Sequence, residues 1–337
     1  MDQIHRIIHQ IEEAIEGKKV CSAIFLDVAQ AFDRAWHTGL EFKLRKIFPK
    51  SFCSLLSSYL RGRKFRVRYE DAYSSYRKIS AGVPQGSVLG PLLYLLYTFD
   101  IPKIKGVQIA TFADDTALLA ISENTAQSTV KLQHAIDKVV NWTKNWRISL
   151  NESKSQHINF TLKKEIPIPI LINNQRVPYS NSAKYLGMTL DVKLRWKEHI
   201  KIKRKQLNIV KAKMDWLIGR SSKLSIHNKL LLYKQILKPI WTYGLQLWGC
   251  SAETNVNIIQ IFQNKVLRGI VNAPWYCRDV HIHRDLRMKT VREERTAAAK
   301  NHVKRLSFHP NQLASRLLFP TGTWRRLKRI KPSDLVL

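Results

Sequence analysis

Apolar and polar positions change rhythm along this chain, and the change divides it. Residues 20–28 form a mostly apolar run of strand length, consistent with a buried strand. After it, Leu40, Leu44 and Ile47 recur at helical spacing, and 52–60 predicts a second helix. Phe65, Val67 and Tyr69 alternate with Lys64, Arg66 and Arg68, which predicts a strand with one basic face. Residues 84–90 read as a glycine-rich turn opening an apolar helix that runs to Phe99. Two strand-like runs, 107–112 and 116–121, flank Asp114-Asp115 at the spacing of a hairpin. A helix over about 125–146 and a strand over 155–162 follow. Mixed elements of this kind predict an α+β fold, a sheet with helices packed on one face. From about residue 195 the pattern is nearly all helical: Leu207, Val210, Met214 and Leu217 make an apolar stripe among Lys201, Lys203, Arg204, Lys205 and Lys211. No internal repeat or low-complexity tract interrupts it.

Charge sharpens the division. The chain has 57 lysines and arginines against 25 acids, a formal charge of +32, with 45% apolar residues that argue for a packed core. Residues 1–190 carry 26 basic and 16 acidic side chains, net +10; the rest carries 31 and 9, net +22. Such a surplus suits a polyanion, because neutralising phosphates releases counterions. An anionic membrane surface would satisfy the same count, but the longest apolar run, 88–101, is too short to span a bilayer and is broken by Pro91 and Asp100. No signal peptide is visible, and the four scattered cysteines make no CxxC pair, which points to a reducing, intracellular setting. The run 324–331 is a short basic segment suited to solvent or nucleic acid.

Three acids stand out by context. Asp27 ends an apolar strand, and Asp114-Asp115 sit at the tip of an apolar hairpin. Carboxylates seldom follow buried strands without compensation. Divalent cations compensate well, since Mg²⁺ favours a few carboxylates plus phosphate oxygens and water. Two such ions about 3.5–4 Å apart activate a hydroxyl and stabilise a leaving group in an in-line displacement. Read singly, each acid is a polar turn or a strand end; read together in a very basic chain, they point to metal.

The wording around these acids is specific. Phe25-Leu26-Asp27-Val28-Ala29-Gln30-Ala31-Phe32-Asp33 resembles the first palm motif of jockey-type reverse transcriptases of non-LTR retrotransposons. Thr111-Phe112-Ala113-Asp114-Asp115 is similar to that family's FADD box, and the segment from Ala81 to Pro91 matches PQGSxLGP almost completely. Asn151-Glu152-Ser153-Lys154-Ser155 resembles the following NxxK(T/S) motif, and Tyr185-Leu186-Gly187 the primer-grip hairpin. The five motifs stand in family order.

The resemblance implies a right-hand polymerase: partial fingers and palm over 1–165, a primer-grip hairpin region over 166–195, and a basic helical thumb and carboxy-terminal region over 196–337. It implies nucleotidyl transfer of dNTPs to a DNA 3′-hydroxyl on an RNA template, with two Mg²⁺ ions, Mn²⁺ being an alternative. Asp27 and Asp114 would be metal ligands, Asp115 would complete the acidic cluster, and the Val28 carbonyl would sit near the second ion. Phe32 matches the steric gate against a ribose 2′-hydroxyl; a core phenylalanine on a first helical turn is the plainer alternative. Gly82, Pro84, Gln85 and Gly86 would form the turn touching template base and nucleotide. Lys154 would approach the triphosphate as a general acid, the alternative being a solvated surface lysine. Asp33 and Arg34 read as helix-start and surface groups. Family members carry fingers strands and an endonuclease before the first palm motif, so the chain reads as lacking both. Its expected partners are RNA template, DNA primer and dNTPs, with no membrane, and its setting the nucleus or cytoplasm.

Other signals point less far. Cys277, His281 and His283 have zinc-like spacing but lack a second cysteine, so ordinary side chains are expected. Trp241, Trp248 and Trp275, flanked by apolar residues, are expected in the core rather than stacked on bases. A remnant that binds nucleic acid without polymerising, a maturase-like relative and a membrane-surface protein are the competing readings.

Overall fold

A computed structural model describes residues 1–318 and 326–336. The chain begins with α1 (Asp2–Glu16), whose Ile4, Ile7, Ile8, Ile11 and Ile15 form one buried face. It then enters β1 (Val20–Val28), α2 (His37–Arg45) and α3 (Lys50–Leu60). Next come the two-residue strands β2 (Lys64–Phe65), β3 (Arg68–Tyr69), β4 (Ala72–Tyr73) and β5 (Arg77–Lys78). Helix α4 (Leu89–Thr98), the hairpin β6 (Val107–Phe112) and β7 (Asp115–Ser122), α5 (Thr125–Asn145), β8 (Leu150–Phe160), β9 (Leu171–Ile172) and β10 (Gln175–Arg176) follow. The chain divides into two compact units: Lys18–Asn181, and Met1–Gly17 together with the residues from Ser182 onward.

In the first unit the sheet order is β6-β7-β1-β8, antiparallel throughout. Alternate residues Ile24, Leu26, Leu118 and Ala120 point to one face and pack on Leu132, Ala135, Ile136 and Val139 of α5. The four aliphatic positions on α5 recur at helical spacing, and Asn124 starts that helix by accepting from the Gln127 backbone N–H. This is the α+β arrangement expected, with α5 on one face of an antiparallel sheet.

A second core joins α2, α3 and α4 through Leu40, Leu44, Leu56, Leu60, Leu93 and Tyr97. At its centre lies Lys43, its side chain almost wholly buried. The Lys43 ammonium donates to the Tyr97 carbonyl and the Asp100 carboxylate and sits 3.5 Å from a Trp146 ring centroid and 5.1 Å from Trp142. Burial draws its pKa down, and Asp100 opposes the shift. Lysine at this point of an apolar helix face is readable only as surface; the aromatic cage is a tertiary feature.

Two local expectations change. The alternating run 64–69 is split between β2 and β3, and every residue from Lys64 to Lys78 is exposed, because among the described residues no layer covers either face. Strand β8 begins at Leu150 rather than 155, so the Asn151–Ser155 motif lies inside it.

The second unit holds the hairpin β11 (Ser182–Tyr185) and β12 (Met188–Asp191), then α6 (Lys197–Lys213), α7 (Asp215–Ile218), α8 (Ile226–Leu232), α9 (Lys238–Thr242), α10 (Leu245–Trp248), α11 (Glu253–Ile270), α12 (Asp279–Asp285), α13 (Val291–Ser307) and α14 (Gln312–Ser315). A single π-helical turn, Tyr233–Leu237, links α8 to α9. The nearly all-helical reading beyond 195 holds. Helix α1 joins this unit: His5 meets His302 at 3.1 Å, and Asp2 pairs with Arg305. Trp241 and Trp248 are core residues, as expected, but Trp275 is 89% exposed, since the turn before α12 carries it outward. The basic segment 324–331 begins outside the described residues. No described helix is long and apolar enough to cross a membrane.

Candidate active site

Ladder β1–β7 ends with Leu26 opposite Thr116, so Asp27 and Asp115 are the next residues on two neighbouring strands. Paired positions in an antiparallel sheet have Cα atoms about 4.5–5.5 Å apart. Phe112 pairs with Asp115 to close β6–β7, leaving Ala113 and Asp114 as the loop. Ala113 adopts φ +54°, a left-handed turn that costs a non-glycine residue about 1–2 kcal/mol. Asp114 and Asp115 are exposed and Asp27 is half-buried. Three acids distant in sequence thus gather at one end of the sheet. Among the described residues no three His, Cys, Asp or Glu side chains converge closely enough to hold a metal by themselves. The donor set is that of an open site: Mg²⁺ is usually held by one or two protein carboxylates, the rest coming from substrate phosphates and water.

On its other side Asp27 is fixed by a large bulge. Phe25 pairs with Gln156 and Asp27 with Asn151, so Leu26 alone faces the segment from Glu152 to Ser155. Ser155, fully buried, donates to the Asn151 carbonyl (2.7 Å) and accepts from the Asp27 backbone N–H (3.1 Å). The Asn151 side chain accepts from the Ser153 hydroxyl and the Lys154 backbone N–H, which turns exposed Lys154 outward beside the acids' end of β1. The motif's asparagine and second serine therefore build the bulge that carries its lysine. Val28 pairs with Leu150, and the Ala29 N–H donates to the Ser149 carbonyl.

After β1 the chain makes a turn, not the helix start expected, with Gln30 at φ +51°. The turn lays Phe32 on Tyr94 of α4, with ring centroids 4.8 Å apart and planes 30° from parallel. Burial, and then the Asp114 charge, hold the Tyr94 phenol above its ordinary pKa, which puts that ring within the field of the acid. Phe32 is half-buried, with neither a fully covered nor a free ring.

Backbone bonds dock the PQG segment on the same turn. Gly82 N–H donates to the Ala35 carbonyl and Val83 N–H to the Phe32 carbonyl, both at 2.8 Å. Gly82 has φ +90°, and a Cβ there would meet the Asp33 carbonyl oxygen at 2.6 Å, so only glycine permits this approach. Gln85 donates from Nε2 to Asp33 (2.8 Å), and Ser87 links the Pro84 carbonyl to the Gly90 N–H at the start of α4. Gly86 lies exposed at φ +79°.

Sequence reasoning missed Asp33 as the partner of Gln85, Tyr94 as the support of Phe32, and Ser155 as the anchor of Asp27. All three needed the fold, since even Ser155 and Asp27 lie 128 residues apart. Tyr185-Leu186-Gly187 belong to the other unit. Leu186 (φ +46°) and Gly187 (φ +74°) form the tight turn of β11–β12, Tyr185 is buried, and the Leu186 carbonyl accepts from the Tyr243 hydroxyl at 2.7 Å. Cys277, His281 and His283 form no metal cluster: His283 is engaged by the Met288 carbonyl and by Asn264.

A family model described as "Reverse transcriptase (RNA-dependent DNA polymerase)" matches residues 1–190, and the chain belongs to this family. It is 42% identical over 341 residues to the probable RNA-directed DNA polymerase from transposon X-element of Drosophila melanogaster, covering 100% of this chain and 37% of the relative. It is 38% identical over 350 residues to the RNA-directed DNA polymerase from mobile element jockey of the same organism, covering 99% and 38%. The likeness to jockey-like elements read from the motifs therefore extends along the chain, which spans less than two fifths of these relatives' length. A structure of apo telomerase from Candida Tropicalis covers 94% of this chain and 51% of its own at 12% identity, with a TM-score of 0.44, too low to bear on function.

Proposed function

We propose that the chain catalyses RNA-templated DNA synthesis by a non-LTR retrotransposon polymerase, adding deoxynucleotides to a DNA 3′-hydroxyl. The observation that supports this most directly is the β1–β7 pairing, which ends one step short of Asp27 and Asp115, with Asp114 in the adjoining loop. In this reading 1–165 is the palm with partial fingers, 166–195 the primer-grip hairpin region, and the basic helical region beyond 196 a thumb that follows the template–primer duplex by phosphate contacts.

Asp27, Asp114 and the Val28 carbonyl would hold two Mg²⁺ ions, with Asp115 adding negative charge beside them. When bound, such ions lower the pKa of the attacking hydroxyl and neutralise charge on the leaving pyrophosphate. The chain's own groups do the rest. Phe32, backed by Tyr94, presents a flat wall where a ribose 2′-hydroxyl would collide. Gln85, held by Asp33, and the Gly82-to-Gly86 turn bring backbone close to the base and sugar. Lys154 stands on its bulge to meet the triphosphate and give a proton to pyrophosphate. The Tyr185–Gly187 turn, braced by Tyr243, would support the primer end.

The test is primer extension on an RNA template with Mg²⁺, comparing the wild type with Asp114→Ala. Removing the carboxylate should cost at least about 10²–10³-fold in rate, with little change in Tm because Asp114 is exposed. Equal incorporation by both proteins would overturn the reading.

A further inference from the structure

The ribbon formed by β2 to β5 is an unusual element in its unit. Its ladder runs from the Ile79 N–H, which donates to the Arg63 carbonyl, out to Tyr69 opposite Ala72, with Glu70 at φ +50° in the end turn. Fifteen consecutive residues, Lys64 to Lys78, are exposed, including five large apolar or aromatic ones: Phe65, Val67, Tyr69, Tyr73 and Tyr76. Folding gains nothing from leaving such side chains in water, and an exposed apolar surface of this kind marks a binding site.

Register sorts the ribbon into two unlike faces. Lys64 is opposite Lys78, and Arg68 is opposite Tyr73. Val67 bonds Ser74 through both its N–H and its carbonyl, so Arg66 faces the two residues Ser75 and Tyr76 across a bulge. One face therefore carries Lys64, Arg66, Arg68, Tyr73, Tyr76 and Lys78. On it the Arg66 guanidinium lies 4.0 Å from the Tyr73 ring centroid and 5.1 Å from that of Tyr76, and Arg68 lies 5.6 Å from Tyr73. Cross-strand pairs of like charge, such as Lys64–Lys78, destabilise a sheet. They become favourable when a polyanion lies over them.

We infer that this face of the 64–78 ribbon is a platform for single-stranded nucleic acid, with unpaired bases stacking on Tyr73, Tyr76 and the Arg66 plane while Lys64 and Lys78 neutralise the backbone; Arg68 donates to the Glu70 carbonyl and lies 3.9 Å from Asp71. Flat rings alternating with cations suit a strand whose bases are free to stack; a duplex hides its base faces and would use only the charges. The two acids, Glu70 and Asp71, lie at the outer turn and limit the footprint to the inner ribbon. The platform uses none of the three acids at the end of β1 and the β6–β7 hairpin, and does not depend on polymerisation.

The experiment is fluorescence anisotropy of the whole chain with a labelled oligoribonucleotide, an oligodeoxyribonucleotide of the same sequence, and a duplex of equal length. Tyr73→Leu/Tyr76→Leu keeps apolar bulk but removes the rings, and Tyr73→Phe/Tyr76→Phe keeps the rings. The leucine pair should weaken single-strand binding about tenfold or more, spare the duplex, and be reversed by the phenylalanine pair. The RNA and DNA arms identify which strand is preferred. Unchanged single-strand binding, or equal loss on duplex and single strand, would overturn the platform. Asp114→Ala should bind the single strand normally, so the platform and the polymerase reading fail independently.

Discussion

Phe32 and Tyr94 stack with their ring centroids 4.8 Å apart, one from the turn after β1 and the other from the helix that follows the PQG segment. The contact ties two distant motifs into one surface. In its proposed role Phe32 must not yield when a sugar presses on it, and Tyr94, 2% exposed, stands behind it. Replacing Phe32 with Ala should raise ribonucleotide incorporation relative to deoxynucleotide by about tenfold or more. Tyr94→Leu should relax selection in the same direction, less strongly. Competitive incorporation of matched rNTP and dNTP pairs measures both, and unchanged ratios would remove Phe32 from sugar selection.

Ser155→Ala isolates the bulge. The substitution removes the acceptor for the Asp27 N–H and the donor to the Asn151 carbonyl. Leaving a buried polar group unpaired costs about 1–3 kcal/mol. The variant should show that loss in chemical denaturation and a lower kcat with nearly unchanged KM for primer–template. Ser155→Thr, which keeps the hydroxyl, should recover part of both.

The glycines of the PQG segment separate two effects. Gly82→Ala places a methyl group against the Asp33 carbonyl at 2.6 Å in a left-handed backbone. Its cost should exceed the about 1–2 kcal/mol of left-handed strain alone. Gly86→Ala has a similar φ of +79° but open space, and should show the strain without the clash. Denaturation midpoints of the two variants should therefore differ clearly.

Acid should destabilise the fold through buried imidazoles. Burial first, with nearby cationic groups adding to it for His5 and His302, lowers the pKa of His5 to about 3 and of His302 to about 4. His157 and His199 are also drawn down to about 4, chiefly by burial. An unfolded histidine takes its proton near 6.5. Between that pH and about 4 the unfolded chain binds more protons, so stability falls as pH drops through this window. Tm should decline accordingly, and the double variant His5→Gln/His302→Gln should flatten the slope. A flat Tm between pH 6.5 and 4 in the wild type would contradict the buried neutral pair.

Much of this was legible in the residues. The apolar run at β1, the paired runs around Asp114-Asp115 and the spacing in α5 report their own burial, so strands, hairpin and helix emerged from periodicity. What periodicity cannot carry is contact between segments. Asp33 looked like a surface acid because its partner, Gln85, lies 52 residues away. The 64–69 run obeyed the strand rule, yet no described residue covers it, since alternation describes a strand's two faces and not whether anything packs on them. The strand was expected only from 155, and begins at Leu150, because the bulge residues at its start lack alternation. Trp275 fell outside the core because flanking apolar residues do not say which way a turn faces.

Lys43, enclosed by Trp142, Trp146, Tyr97 and Asp100, is an amine that the folded chain withholds from water. Reagents that acylate lysines will find it only while α2, α4 and the end of α5 stand apart. In a chain with dozens of surface amines, this single position keeps a chemical record of how often that junction opens.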